Sequence, residues 1–174
     1  MVVWITGISA SGKSTLGKYF FKRFKKRKKN TIFFDGDEFR KIFHNDIKHT
    51  LKDRDTNAIR LTSLVKYVSD QKTNIIISAN ITSQRFRDWC KKNVQNYFEI
   101  FINTPIEILK KRDYKQLYKN AFSGKIKNVV GVDIKFIRPK NPDLIIDNSK
   151  TKQDLYLNYN KILREIKTRK IKIF

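Results

Sequence analysis

The sequence predicts an α/β protein built on a parallel sheet, and three observations carry that expectation. Apolar runs bounded by polar turns alternate with segments of helical period, which is the pattern of βα units. One run, Asn74 to Ala79, is nearly continuous Ile, as in a strand covered on both faces. The chain has 174 residues with only three Pro and six Gly, so residues 1–174 read as a single domain without linkers.

The elements follow in order. Val2 to Ile5 is the first strand, and Ser14 to about Lys28 a helix with Leu16, Tyr19, Phe20 and Phe24 at helical spacing. The second strand, Thr31 to Phe34, ends in Asp35-Gly36-Asp37. A long helix spans Asp53 to Gln71, with Ile59, Leu61, Leu64, Val65 and Val68 as its apolar set. After the third strand, Asn74 to Ala79, a helix from Ser83 to Asn96 leads to a fourth strand, Tyr97 to Ile102. Pro105 suits the first turn of a short helix carrying Ile106, Ile108 and Leu109. The polar stretch Arg112 to Arg138 is the least regular part. A fifth strand, Leu144 to Ile146, and a last helix, Lys152 to Thr168, complete the unit, and the tail from Lys170 is unassigned.

Composition narrows the classes. A single cysteine, Cys90, excludes an intrachain disulfide framework and a multi-cysteine metal site, and it fits a reducing cytosol. No apolar run approaches the ~20 residues that span a bilayer, so a soluble, cytoplasmic protein without a membrane partner is expected. The net charge of +23 suits nucleic acid, an anionic membrane or a multiply charged small anion. It also suits a coding sequence rich in A and T, since Lys, Asn and Ile are all abundant and scattered. The densest basic run, Lys22 to Lys29, closes a helix, where cations suit the negative end of the dipole.

Chemistry enters at Gly7-Ile8-Ser9-Ala10-Ser11-Gly12-Lys13-Ser14, a full match to G-x-x-x-x-G-K-[ST]. The glycines let backbone N–H groups turn inward around phosphate oxygens. Lys13 would reach the β- and γ-phosphates, Ser14 would offer its hydroxyl to Mg²⁺, and Thr15 would follow in the helix that aims its positive end at the anion. With no guanine motif of the N-K-x-D type, the chain reads as an ATP-dependent small-molecule kinase whose insert, about 112–138, closes as a water-excluding lid.

Several segments in order resemble the adenylylsulfate (APS) kinase family. Trp4-Ile5-Thr6-Gly7 resembles its first strand and cradle, and Asp35-Gly36-Asp37 with Arg40 its D-G-D-N-x-R. Arg54, Asn57 and Arg60 fall at the spacing of R-x-x-N-x-x-R, and Ile81-Thr82-Ser83-Gln84-Arg85 sits where the family has I-S-P-x-R. Arg112-Asp113-Tyr114-Lys115-Gln116-Leu117-Tyr118 resembles R-D-P-K-G-L-Y, continued by Ala121, Gly124 and Ile126. Pro139, Asn141, Pro142, Asp143 and Leu144 resemble P-x-N-P-E-L.

The resemblance implies a P-loop NTPase fold of nucleoside-kinase type, with a five-stranded parallel sheet, helices on both faces and a lid. It implies transfer of the γ-phosphoryl of MgATP to the ribose 3′-hydroxyl of adenylylsulfate. Asp37 would orient or deprotonate that hydroxyl, and Asp35 would support Mg²⁺. Arg40, Arg54, Asn57, Ile81 and Thr82 would grip the acceptor nucleotide, while Arg112 and Lys115 would open the lid and clamp ATP phosphates, with Lys115 also binding substrate.

The departures cluster on base recognition. Two phenylalanines sandwich adenine in the family, and their positions fall here on His49 and Val129. Aromatic stacking is worth ~1–3 kcal/mol per base, so a purine site would weaken by roughly one to two powers of ten. The strand-end serine becomes Thr82, read as a substrate contact, and its following proline becomes Ser83. The D-P-Y-E segment becomes Ile134-Lys135-Phe136-Ile137. Adenylylsulfate with a diverged clamp is the expected acceptor, and the cytidine diphosphoramidate used by similar kinases of bacterial capsule phosphoramidate pathways is the alternative. A third reading, a basic nucleic-acid-binding protein with a non-catalytic cradle, rests on the charge, and the intact Lys13, Ser14, Asp35 and Asp37 oppose it. The expected partner is therefore a small-molecule nucleotide, with nucleic acid disfavoured and a homodimer left open.

Overall fold

The computed structural model describes residues 1–113 and 115–174; Tyr114, inside the R-D-x-K-x-L-Y match, lies outside the described residues. Five strands form one sheet in the order β2-β3-β1-β4-β5, every pair parallel. They are β1 Val2–Thr6, β2 Thr31–Asp35, β3 Asn74–Ser78, β4 Tyr97–Asn103 and β5 Leu144–Asp147. Parallel neighbours need crossovers, and the helices supply them: α1 Lys13–Lys25, α2 Gly36–Ile42, α3 Leu51–Asp70, α4 Gln84–Asn93, α5 Ile106–Lys111, α6 Leu117–Phe122 and α7 Lys152–Thr168.

Strand alternation sorts the core into two halves. Val3, Ile5, Ile76, Ile100 and Ile102 meet Leu16, Phe20 and Phe24 of α1 and Leu155, Tyr159 and Ile162 of α7. Val2, Trp4, Ile75 and Ile77 meet Phe39 of α2, Leu61 and Val65 of α3, and Cys90 of α4. Since β1 is buried at every position, the unbroken apolar runs are explained by cover on both faces.

The strands expected from sequence are all present, and four of them run one residue further, into Thr6, Asp35, Asn103 and Asp147. Helix α1 stops at Lys25 rather than near Lys28, and α4 is shorter than Ser83 to Asn96. Ile59, expected in the apolar set of α3, is 52% exposed, and Ala58 takes the buried place. Two helices lie where none was expected. In α2, the Asp35 carboxylate caps the N-terminus by accepting from the Asp37 N–H. In α6, Asp113 accepts from the Leu117 and Lys119 N–H groups. The unassigned tail docks on the sheet: Ile171 and Ile173 pack on the core, and the Phe174 N–H donates to Asn74 Oδ1.

Candidate active site

The strands of a parallel sheet deliver their C-terminal ends to one edge, where ligands of α/β proteins bind. Thr6, Asp35 and Ser78 all end strands at this edge. The β1–α1 turn is shaped by positive φ at Gly7, Ala10 and Gly12. A Cβ at Gly7 would stand 2.8 Å from the Ile102 carbonyl oxygen, so only glycine fits there. The loop is held from outside by partners distant in sequence. Tyr118 Oη donates to the Ser9 carbonyl at 2.9 Å, and Asn148 Nδ2 donates to the Ser11 carbonyl at 2.8 Å.

Inside the turn, Lys13 Nζ donates to the Ile8 carbonyl at 2.8 Å. Burial pushes the Lys13 pKa down to about 8 against the opposing pull of Asp37 and Asp35. A lysine under that pressure gains from a multiply charged anion. Ser14 Oγ donates to Asp35 Oδ2 at 2.5 Å, so the hydroxyl that opens α1 and the carboxylate that ends β2 face each other. Hard oxygens in that arrangement would suit a Mg²⁺ ion. Among the described residues no group of three or more His, Cys, Asp or Glu could hold a metal ion.

Across the edge, α2 presents Asp37 and Arg40, and α3 presents Arg54 and Asn57. Asp37 is exposed and lies 3.9 Å from Lys115 of the lid. Arg40 donates to the Lys48 carbonyl at 2.9 Å. Arg54 spans two segments, donating from Nε to the His49 carbonyl at 2.9 Å and from Nη2 to the Asn128 carbonyl at 2.8 Å. Burial holds both guanidinium pKa values below their ordinary level, and for Arg54 the charge of Arg40 adds to it. Two cations pressed together this way suit an anionic group between them. Burial, then Arg40 and Arg54, also lower the His49 pKa, so its imidazole is neutral at pH 7.

Asn57 is 8% exposed, and its Oδ1 is buried without a hydrogen-bond partner. Ile81 and Thr82 are buried just beyond β3. The sequence spacing thus brings Asp35, Asp37, Arg40, Arg54 and Asn57 to one edge. Arg60 falls elsewhere, in a two-pronged pair with Asp46 at 2.8 and 2.7 Å.

Two lid residues depart from expectation. Arg112, expected at ATP phosphates, donates to the carbonyls of Asn148 and Lys150, bracing the loop after β5. Val129, expected to replace an aromatic wall of the acceptor pocket, is 4% exposed and packs with Leu109, Tyr118 and Ala121. Ile8 and Ala10 of the cradle pack against that same cluster, so the lid has a small core seated on the phosphate loop. Asp133 fixes its geometry by accepting from the Val129 N–H at 2.6 Å. Sequence reasoning passed over Asn148 and gave Tyr118 no task; their signal was position after a strand and the final letter of the L-Y match.

A glycine-shaped phosphate turn, a paired serine and carboxylate, and a lid seated on the turn define a P-loop kinase that uses ATP as phosphoryl donor. The chain belongs to the adenylylsulphate kinase family, whose sequence pattern matches residues 1–147. It is 36% identical over 151 residues to the cytidine diphosphoramidate kinase of Campylobacter jejuni, covering 85% of this chain and 86% of that one. It is 32% identical over 169 residues to the adenylyl-sulfate kinase of Buchnera aphidicola, covering 92% and 82%. The fold superposes on the Mycobacterium tuberculosis APS kinase in complex with AMPPNP and APS with a TM-score of 0.83, at 27% identity and covering 95% and 96%. No helix among the described residues is long and apolar enough to cross a membrane.

Proposed function

We propose that this kinase phosphorylates the ribose 3′-hydroxyl of a 5′-activated nucleotide, and that cytidine diphosphoramidate is its preferred acceptor. The observation that carries the choice of base is the missing aromatic pair: His49 stands at one position, and Val129 at the other is turned into the lid core. A pyrimidine loses less stacking area than a purine when such a pair is absent. The 36% identity to a cytidine diphosphoramidate kinase points the same way.

In this reading ATP lies with its phosphates on Gly7, Ile8, Ser9, Ala10, Ser11, Gly12 and Thr15, with Lys13 neutralising charge as it spreads over the transferring group. Ser14 and Asp35 would hold Mg²⁺, which would supply positive charge to shield the phosphate oxygens. Asp37 orients the acceptor hydroxyl and takes its proton. Arg40, Arg54 and Asn57 hold the anhydride of the acceptor, and Ile81 and Thr82 line its bed. Lys115, beside Asp37, brings lid charge to the reacting groups. A cytoplasmic homodimer fits this reading, and sedimentation of the pure protein checks the second point.

The test is kcat/KM on both acceptors with the same enzyme preparation. A preference for cytidine diphosphoramidate of about tenfold or more is expected; faster turnover of adenylylsulfate overturns the choice of base and leaves the 3′-hydroxyl chemistry in place. Adenylylsulfate is the second reading, favoured by the 32% identity to an adenylyl-sulfate kinase and the overlay on the complex with APS.

A further inference from the structure

Helix α4 carries an arginine on its buried face. Arg87 is wholly buried, and its Nε lies 3.4 Å from Oε1 of Glu99, itself 1% exposed, at the centre of β4. A charge pair removed from water this fully is costly to assemble, so what else the pair reaches bears on why it is there. Arg87 Nη2 donates to two backbone carbonyls. One belongs to Ile81, the residue before Thr82 in the acceptor bed. The other belongs to Ile137, at 3.1 Å, at the root where the lid rejoins the body.

Neighbouring side chains of α4 reach the same root. Gln84 Oε1 accepts from the Lys140 N–H at 3.3 Å, and Lys91 donates to the Asn141 carbonyl. Lys91 also stands 3.7 Å from Glu99 Oε2. Residues 137–141 are thus clamped to α4 at three points, and the first of them shares its guanidinium with the strand end after β3. Glu99 fixes that guanidinium from below, and its two oxygens have no hydrogen-bond partner of their own. The guanidinium faces Glu99 with Nε while Nη2, at its far end, takes carbonyls of two different segments, so one rigid plane joins all three.

We propose that Arg87, held by Glu99, is a positioning residue that ties the lid root to the acceptor bed, so that the lid is registered over the acceptor and not merely over ATP. The inference rests on the reading of Ile81 and Thr82 as acceptor contacts. A misregistered lid leaves the γ-phosphoryl open to water and the acceptor hydroxyl out of line.

Arg87→Lys tests it, because a single ammonium keeps the charge but cannot both face Glu99 and reach the two carbonyls, as Nε and Nη2 do together. The expected result is a fall of ~10–100-fold in kcat with the acceptor and a rise in ATP hydrolysis without acceptor. KM for ATP should stay within about twofold, with a melting curve that remains cooperative. The double variant Arg87→Met with Glu99→Gln, which leaves no buried unpaired charge, should show the same split should the lysine variant fold poorly. Wild-type kinetics in either variant overturns the proposal, as does an equal loss in ATP and acceptor parameters. Thr82→Val separates the premise from the inference. Unchanged acceptor KM in that variant removes the acceptor-bed reading, while uncoupled hydrolysis in the Arg87 variants would still report on the lid.

Discussion

Lys13 shows how one residue is prepared for its ligand by burial. Its pKa near 8 in the free protein must rise when phosphate oxygens surround it, because opposite charge favours the protonated form. Nucleotide binding should therefore take up a proton on the alkaline side. Calorimetry at about pH 8.5 in buffers of different ionisation enthalpy should report that uptake, and affinity should fall as pH rises through the free value. Asp37→Asn removes the proposed base and should lower kcat ~10²–10⁴-fold with little change in KM for ATP, read by a coupled assay. His49→Phe restores one aromatic face and should raise kcat/KM on adenylylsulfate about tenfold, within the ~1–3 kcal/mol of base stacking. Val129→Phe is the poorer choice, since that side chain lies in the lid core and a larger ring would overpack it.

Elements act here by holding the phosphate turn from outside. Helix α6 delivers Tyr118 to the Ser9 carbonyl, and burial pushes that phenol up to about 12, so it remains a donor throughout the physiological range. Tyr118→Phe removes one hydrogen bond, worth about 1 kcal/mol, and should raise KM for ATP roughly fivefold with a small loss of melting temperature. Helix α1 is fitted to the sheet through Gly17, where a Cβ would stand 2.0 Å from Ser78 Oγ and 2.9 Å from Phe33. Ser78 in turn donates to the Lys13 carbonyl at 3.0 Å. Gly17→Ala should therefore destabilise by about 1–3 kcal/mol, measurable by urea unfolding, despite the better helix propensity of alanine.

At the scale of the molecule, the charge of +23 has a kinetic consequence that does not depend on its origin. An anionic acceptor approaching so basic a protein is steered, so kcat/KM should fall as ionic strength rises while kcat changes little. A nucleic-acid-binding role would instead give tight, salt-sensitive binding of unrelated oligonucleotides with no turnover of any nucleotide acceptor. Cations that carry the proposed site are committed within the fold, Lys13 to Ile8, Arg40 to Lys48, and Arg54 to His49 and Asn128.

The strands and long helices were legible in the sequence because two-residue and 3.6-residue periods are local properties. The phosphate turn and the Asp35-Gly36-Asp37 pair were legible because their chemistry is compressed into a few consecutive residues. Helices α2 and α6, of seven and six residues, were not, since they are too short to show a period and depend on capping by Asp35 and Asp113. What the Gly7-to-Ser14 turn leans on was equally hidden. Tyr118 lies 109 residues from Ser9, and Asn148 lies 137 residues from Ser11. The sequence by itself determined the fold class, the donor half of the reaction and the family. Only the tertiary structure decided that Arg112 braces a loop, that Val129 belongs to the lid core, and that Arg87 joins the lid root to the strand end after β3. Those outcomes depend on where side chains distant along the chain meet, and no local spacing specifies such meetings.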